Sequence, residues 1–136
     1  MIKLSKMKDA LEDVNIESSC YFNKKTNEIL WKWEYNKEYS TYKEDDEYNA
    51  DIICMFDFYM KNDYNIMQDF IDTVNNVSIK NELYNATRGK DAFSRFRSII
   101  DSNGITEDWY KHRDKEYKKI AKDWCLDNNI EYEKDC

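Results

Sequence analysis

The spacing of the hydrophobic positions changes from helical to alternating and back to helical along the chain. In residues 4–14, apolar side chains recur every three or four positions, which predicts a short amphipathic helix. Residues 28–35 show alternating spacing, and together with a strand expected over residues 18–23 and the turn Lys24-Lys25-Thr26-Asn27 they predict a β-hairpin. A third strand is expected over residues 50–56. A sheet this small needs helices against one of its faces.

Helical spacing returns downstream and predicts four more helices. The first has its apolar stripe between Ile66 and Val74 and ends at Asn75-Asn76. Ser78 is expected to cap the second helix, and Gly89 is expected to close it, because glycine adopts the left-handed conformation that ends helices.

Asp91 is predicted to cap the third of these helices, with its carboxylate accepting from the free N–H groups of the first turn. Gly104 ends that helix and Thr106 begins the last one. The apolar stripe of the third helix is expected to comprise Ala92, Phe93, Phe96, Ile99 and Ile100. The apolar face of the last comprises Trp109, Tyr110, Tyr117, Ile120, Ala121 and Trp124.

These elements predict an α+β protein in which a small N-terminal antiparallel hairpin or three-stranded sheet packs against a C-terminal array of about four helices. The length of 136 residues predicts one domain, residues 1–136. A helix and the small sheet are expected over residues 1–56, and the helical array over 57–130. The polar tail, residues 131–136, is expected to fray.

Composition removes several classes of function. With two glycines and no proline, the chain has no phosphate-cradling loop, and the catalytic motifs of hydrolases and metalloproteases are absent. The four cysteines form no C-x-x-C pair, so we expect free thiols, no metal and no cofactor. No apolar run is long enough for a signal peptide or a membrane span, so we expect a cytoplasmic protein without a membrane role.

Charge is unevenly distributed. The net charge of −7 disfavours unassisted binding to nucleic acid, yet all arginines lie between residues 83 and 122, where basic residues outnumber acidic ones. We term Arg88, Lys90, Arg95, Arg97 and Arg113 the basic cluster. With Trp109 and Tyr110, these residues are the candidate binding site.

Two interpretations of the basic cluster stay open. A helix N-terminus beside Arg88 and Lys90 is a natural anion site, although the carboxylate of Asp91 competes for it. Alternatively, Arg88, Arg95 and Arg113 pair with acidic residues across the helical array. Arg113 falls on an apolar helix face, so it is expected to be partly buried and to need a carboxylate or helix-end carbonyls as a partner. The four tryptophans are expected in the core rather than as base-stacking platforms.

No catalytic residue is predicted. His112, the one histidine, is expected to face solvent, and the acidic run Glu44-Asp45-Asp46-Glu47 is expected to be a solvated loop rather than a cation site. An enzyme using Asp114, His112 or that acidic run is the least favoured hypothesis.

The basic stretch Arg88-Gly89-Lys90-Asp91-Ala92-Phe93-Ser94-Arg95-Phe96-Arg97, followed by Trp109-Tyr110 with Arg113-Asp114 and by Trp124-Cys125-Leu126, resembles the uncharacterised bacterial family 0158 of the UPF series. The likeness extends to Met67-Gln68-Asp69-Phe70-Ile71 and, more loosely, to residues 4–11 and 21–33. Asp91 stands where the family tends to have glycine, and His112 where it tends to have phenylalanine. The family name carries no activity, so the resemblance supports the architecture and not a function.

The sequence therefore favours a non-enzymatic, cytoplasmic binding or regulatory protein of bacteria that acts through a protein partner. An inhibitor or a defence-related protein would fit the same features. The alternative is a binder of nucleic acid, or of another phosphate-bearing ligand, through the basic cluster.

Overall fold

The computed structural model describes all of residues 1–136, and these form two compact units. The sheet unit comprises residues 1–61 and 117–136, and the helical unit comprises residues 62–116. The single domain expected from the length stays a prediction.

The chain contains five strands and five α-helices, in agreement with the predicted α+β class. The strands are β1 (Ile2–Lys3), β2 (Ser18–Asn23), β3 (Glu28–Trp33), β4 (Ile52–Asp57) and β5 (Tyr132–Glu133). The helices are α1 (Leu4–Asp13), α2 (Asp63–Thr73), α3 (Val77–Ala86), α4 (Ala92–Ser102) and α5 (Thr106–Asn128). Short 3-10 helices cover Glu44–Tyr48 and Phe58–Lys61.

The predicted hairpin and third strand form one antiparallel sheet with the strand order β3-β2-β4. Phe22 on β2 and Phe56 on β4 are buried, and the ring of Trp124 on α5 packs edge-on against both. The indole N–H of Trp124 also donates to the carbonyl oxygen of Cys54 at 3.2 Å. The inner face of the sheet is therefore covered by a helix, as a sheet of three strands requires.

The outer edge of β3 is covered by the loop that follows it. The N–H of Trp31 donates to the hydroxyl of Thr41 at 2.7 Å, and the carbonyl oxygen of Trp31 accepts from the N–H groups of Thr41 and Tyr42. The N–H of Trp33 donates to the hydroxyl of Ser40 at 2.9 Å. These bonds use backbone groups that an open edge strand would offer to another chain.

The C-terminal tail differs from its prediction. Instead of fraying, β5 pairs in parallel with β1, with Ile2 opposite Tyr132. The N–H of Ser5 donates to the carboxylate of Asp135 at 2.9 Å, and the Ser5 hydroxyl donates to the same carboxylate. Long-range pairing of this kind leaves no periodic signal in a segment of two residues.

The helical unit has an aromatic core. On α2, Phe70 packs edge-on against Phe96 of α4 at 6.0 Å and against Trp109 of α5 at 5.6 Å between ring centroids. The predicted stripe of α2 is confirmed, since Ile66, Met67, Phe70 and Ile71 are all buried. Trp109 and Trp124 are also buried, as expected, whereas Trp31 and Trp33 are only half-buried on β3.

Two predicted helix caps are wrong. The carboxamide oxygen of Asn76, and not the hydroxyl of Ser78, accepts from the N–H of Ile79 at 3.1 Å, because α3 begins at Val77 and Ser78 is already inside the helix. Asp91 precedes α4 but its side chain makes no capping bond; its backbone is left-handed, with φ of 59°. A position with this conformation favours glycine, which the resembled family tends to have there.

The start of α4 also differs from its prediction, whereas its end does not. Phe93 is 45% exposed, because the first turn of α4 extends beyond the part of that face on which Phe96 and Ile100 are buried. Gly104 takes a left-handed conformation with φ of 69° and donates to Asp101, while the N–H of Ile105 donates to Ile100. These two bonds form a Schellman motif, which confirms the predicted role of Gly104.

Candidate functional site

Arg95 of the basic cluster closes a helix end. Its Nε donates to the carbonyl oxygen of Ala86 at 2.7 Å, and its terminal nitrogen donates to that of Arg88 at 2.8 Å. The carbonyl of Ala86 belongs to the last residue of α3, where carbonyl groups lack partners within the helix and carry partial negative charge, and that of Arg88 lies two residues beyond. The expected pairing of Arg95 with an acidic residue is therefore wrong, since its partners are carbonyl oxygens.

Arg113 is partly buried, as expected, with 15% of its side chain exposed. Its guanidinium lies 4.9 Å from the ring centroid of Tyr110 and 3.9 Å from the carboxylate of Asp114. Ring and carboxylate both stabilise the positive charge, so this arginine has its counter-charge within the helical unit.

The remaining cations of the cluster face solvent. Arg88, Lys90 and Arg97 are exposed, and none of them forms an ion pair. Arg97 follows Phe93 by four residues, which makes the two side chains neighbours on one side of α4. The exposed Phe93 and Arg97 thus form a mixed aromatic and basic surface on α4.

The two aromatic candidates of the site have different environments. Trp109 is 5% exposed and packs edge-on against Phe96 at 5.0 Å, so it belongs to the core. Tyr110 is 38% exposed beneath the guanidinium of Arg113. The structure thus divides the predicted site into a buried part and a solvent-facing part.

His112 does not face solvent, so its prediction is wrong. Its ring is half-buried, 5.6 Å from the centroid of Phe70 and 6.4 Å from that of Trp109, to which it is nearly parallel. Its Nε2 is buried and has no hydrogen-bond partner. The slot is built from aromatic side chains, which explains why phenylalanine suits this position in the resembled family.

The acidic run Glu44-Asp45-Asp46-Glu47 lies in a 3-10 helix rather than an irregular loop. Within it, the carboxylate of Glu44 is 3.1 Å from the ammonium group of Lys37, and both side chains are exposed. The structure gathers no group of three histidine, cysteine, aspartate or glutamate side chains in an arrangement that could hold a metal ion.

The sheet unit contains a second candidate site, which the sequence analysis missed. An open groove of about 440 Å³ lies on the sheet's outer face, with residues of all three strands in its lining. Four exposed apolar side chains also line it: Ile16, Phe58, Tyr59 and Met60. Tyr59 is 79% exposed.

Carboxylates dominate the charge of the groove. Glu17, Glu34 and Asp57 line it together with one cation, Lys32. The ammonium group of Lys32 lies 5.7 Å from the ring centroid of Tyr42. The same ring stacks on Tyr21 at 4.0 Å, and Tyr21 also lines the groove.

Backbone hydrogen bonds fix the groove's walls. The N–H of Glu34 donates to the carbonyl oxygen of Glu17 at 2.9 Å, which extends the β2–β3 ladder beyond its last pair. The carboxylate of Asp57 accepts from the N–H of Met60 at 3.0 Å and so holds the Phe58–Lys61 turn against the end of β4. The apolar wall is thus part of the folded sheet unit.

Thiol chemistry is limited by burial. Burial raises the pKa of the Cys20 thiol to about 12 and that of Cys125 to about 11, so neither is a nucleophile near neutral pH. Cys54 is exposed and lines the groove, which makes its thiol a natural reporter of occupancy.

One sequence signal could have indicated the groove. Phe58, Tyr59 and Met60 are three consecutive large apolar residues that begin one residue after the strand predicted over 50–56, in a segment with neither helical nor alternating spacing. Such a run has no face on which to bury all three side chains. The carboxylates gave no comparable signal, because Glu17, Glu34 and Asp57 are far apart in sequence and the strand pairing brings them together.

Comparisons with known proteins support a family but no activity. None of the helices has the length and apolar character needed to span a membrane. A UPF0158 protein of Pseudomonas aeruginosa is 30% identical over 67 residues, which cover 48% of this chain and 44% of that relative. The chain thus aligns with less than half the length of this relative, and no solved structure gives a significant match. The model of the uncharacterised protein family UPF0158 matches residues 2–135, and the chain therefore belongs to that family.

Proposed function

We propose that this protein is a non-enzymatic binding protein of the bacterial cytoplasm that acts through a protein partner, which it holds in the groove of the sheet unit. The observation that carries the proposal is the exposure of Ile16, Phe58, Tyr59 and Met60 around one cavity. Adjoining apolar side chains exposed in this way are typical of interaction sites.

The composition of the groove favours a protein as the occupant. Tyrosine, phenylalanine and methionine are enriched where proteins bind each other, because each offers a large apolar contact area. The groove is partly open to solvent, so an extended chain segment can lie along its exposed apolar side chains. A regulatory or inhibitory role is consistent with such a surface.

Affinity capture from host lysate at physiological salt, with nuclease added to one half, tests this function. We expect a stoichiometric protein partner that survives nuclease and is lost with Tyr59→Ser. Tyr48→Ser is the matched control, because Tyr48 is 85% exposed and lies outside the groove. The proposal is wrong if no partner is captured, or if Tyr59→Ser captures the partner as well as the unmodified protein does.

The second candidate function is binding of nucleic acid, or of another phosphate-bearing ligand, by the exposed part of the basic cluster. It is favoured by the exposure of three cations without ion-pair partners, Arg88, Lys90 and Arg97, and by the exposed ring of Phe93 one helical turn from Arg97, since cations and aromatic rings together bind phosphates and bases. Arg95 and Arg113 contribute less to such a surface, because their guanidinium groups already have partners.

Fluorescence anisotropy with a labelled single-stranded oligonucleotide tests this candidate at two salt concentrations. We expect affinity that falls with salt and is lost when Arg88, Lys90 and Arg97 are changed to alanine together. The matched control changes the exposed lysines Lys6, Lys24 and Lys25 to alanine, which removes the same charge elsewhere. Equal binding by both triple variants would reject the basic cluster as the site.

A further inference from the structure

We propose that the partner segment in the groove carries an arginine or lysine side chain, which sits at Glu17 and Glu34, beside apolar residues that pack on the turn Phe58–Lys61. This inference rests on the proposed function and adds the chemistry of the partner. Three observations support it: the strand register that places Glu17 opposite Glu34, the absence of an ion pair at either glutamate, and the exposed apolar side chains on the turn Phe58–Lys61.

The strand register places two glutamates opposite each other. Ser18 is paired with Trp33, so Glu17 and Glu34, each one residue beyond its strand, are the next opposed residues, and the N–H of Glu34 donates to the carbonyl oxygen of Glu17. Residues directly opposite in an antiparallel pair point to the same face. Alternation from the inward-facing Ser18 places both glutamates on the outer face, where the groove lies.

No internal cation neutralises this pair. Neither glutamate forms an ion pair, and Lys32, the cation nearest along the ladder, instead has its ammonium group at the ring of Tyr42. Like charges directly opposite each other destabilise a sheet. A cation supplied by a partner would remove this repulsion, which is the charge complementarity that interfaces use for specificity.

A third carboxylate continues the acidic surface toward the apolar wall. Asp57 is opposite Ser19 on the other side of β2, and the turn that follows Asp57 carries Phe58, Tyr59 and Met60. A segment lying across the strands therefore meets carboxylates first and aromatic side chains next. The faces of tyrosine and phenylalanine rings attract a guanidinium or ammonium group, so the wall also tolerates the cation.

Protection of the Cys54 thiol can test the inference. In a Cys136→Ser background, Cys54 is the one exposed thiol, because Cys20 and Cys125 are buried. The probe is an acetylated hexapeptide of alternating arginine and valine, and the control peptide has neutral citrulline in place of each arginine. We expect the arginine peptide, at up to about 1 mM, to slow alkylation of Cys54 at least fivefold, and the citrulline peptide to have no effect.

Paired variants assign the effect to the two glutamates. We expect the double change Glu17→Gln and Glu34→Gln to lower the affinity for the arginine peptide at least tenfold. The circular dichroism spectrum of this variant should match that of the unmodified protein. The control double change, Glu28→Gln and Glu38→Gln, removes the same charge from exposed residues outside the groove and should leave affinity unchanged.

Several results would overturn the inference. They are equal protection by the citrulline peptide, protection by neither peptide, or unchanged affinity in the Glu17 and Glu34 variant. If protection of Cys54 from alkylation rises with protein concentration in the absence of peptide, a second copy of the chain fills the groove, and this result would also overturn the inference. If the captured partner depends on Tyr59 but not on Glu17 and Glu34, the proposed function stands and this inference alone fails.

Discussion

The imidazole ring of His112 lies beside two aromatic side chains of the helical unit. Its Nε2 is buried without a hydrogen-bond partner, and the rings of Phe70 and Trp109 lie beside it. A buried polar atom that lacks a partner costs about 1–3 kcal/mol. The family resemblance indicates phenylalanine at this position, so the slot accepts a six-membered ring.

We expect His112→Phe to raise the free energy of unfolding by about 1 kcal/mol, because it removes this unsatisfied nitrogen and keeps the ring contacts. Urea denaturation followed by tryptophan fluorescence measures the change. His112→Ala is the control and should destabilise, since it removes the ring as well. A less stable His112→Phe protein would show that the imidazole makes a polar interaction that stabilises the fold.

Two individual side chains show the limit of prediction from sequence. The apolar face of α4 was predictable, yet Phe93 on that face is exposed, because periodicity gives a direction and not the length over which neighbours cover a helix. The residue type of Asp91 predicts a capping role, whereas its backbone is left-handed and its side chain makes no capping hydrogen bond. Both outcomes depend on how α3 connects to α4.

The junction between α3 and α4 depends on Arg95, which bonds two carbonyl oxygens at the end of α3. We expect Arg95→Ala to lower the free energy of unfolding by about 1 kcal/mol, since each bond has a charged donor but the site is exposed. Arg95→Lys should recover only part of the loss, because an ammonium group lacks the planar fork of the guanidinium.

Arg97→Ala is the control for this junction, because Arg97 is exposed on the same helix and forms no ion pair. We expect Arg97→Ala to change the free energy of unfolding by no more than about 0.5 kcal/mol, the usual range for an exposed surface substitution. Urea denaturation of the three variants separates the alternatives. An equal loss for Arg95→Ala and Arg97→Ala would mean that the two carbonyl bonds contribute nothing to stability.

Most elements were predictable because each carries its own periodic signal. The hairpin β2–β3 and the helices α2 to α5 were located from spacing and from turn residues such as Gly104. The groove and the pairing of β1 with β5 were not, since both depend on residues distant in sequence whose side chains form no local pattern. Fold class is thus encoded locally in this chain, while its sheet-unit site arises from long-range strand pairing.

In the sheet unit, the two ends of the chain meet through β1 and β5, and Asp135 holds this contact. Hydrogen bonds from Ser5 lower the pKa of the Asp135 carboxyl, because they stabilise its charged form. A carboxyl with a lowered pKa in the folded state contributes stability above the pKa of its unfolded state, near 3.9. That contribution is lost as pH falls through the lower, folded pKa.

We therefore expect Asp135→Asn to lower the unfolding midpoint at pH 7, and we expect this difference to shrink as pH falls below the unfolded pKa and through the lower, folded pKa, where the native carboxyl also becomes protonated. Ser5→Ala should give the same pH profile, since it removes the hydroxyl donor of the same contact. Glu131→Gln removes a charge from an exposed residue of the same tail and is the control, with an unfolding midpoint close to that of the unmodified protein expected at pH 7. Thermal unfolding monitored by circular dichroism between pH 2 and pH 7 measures all three. An equal shift for Asp135→Asn at both ends of that range would mean that the carboxylate acts through packing alone, and that its charge does not hold the C-terminal strand to the N-terminal one.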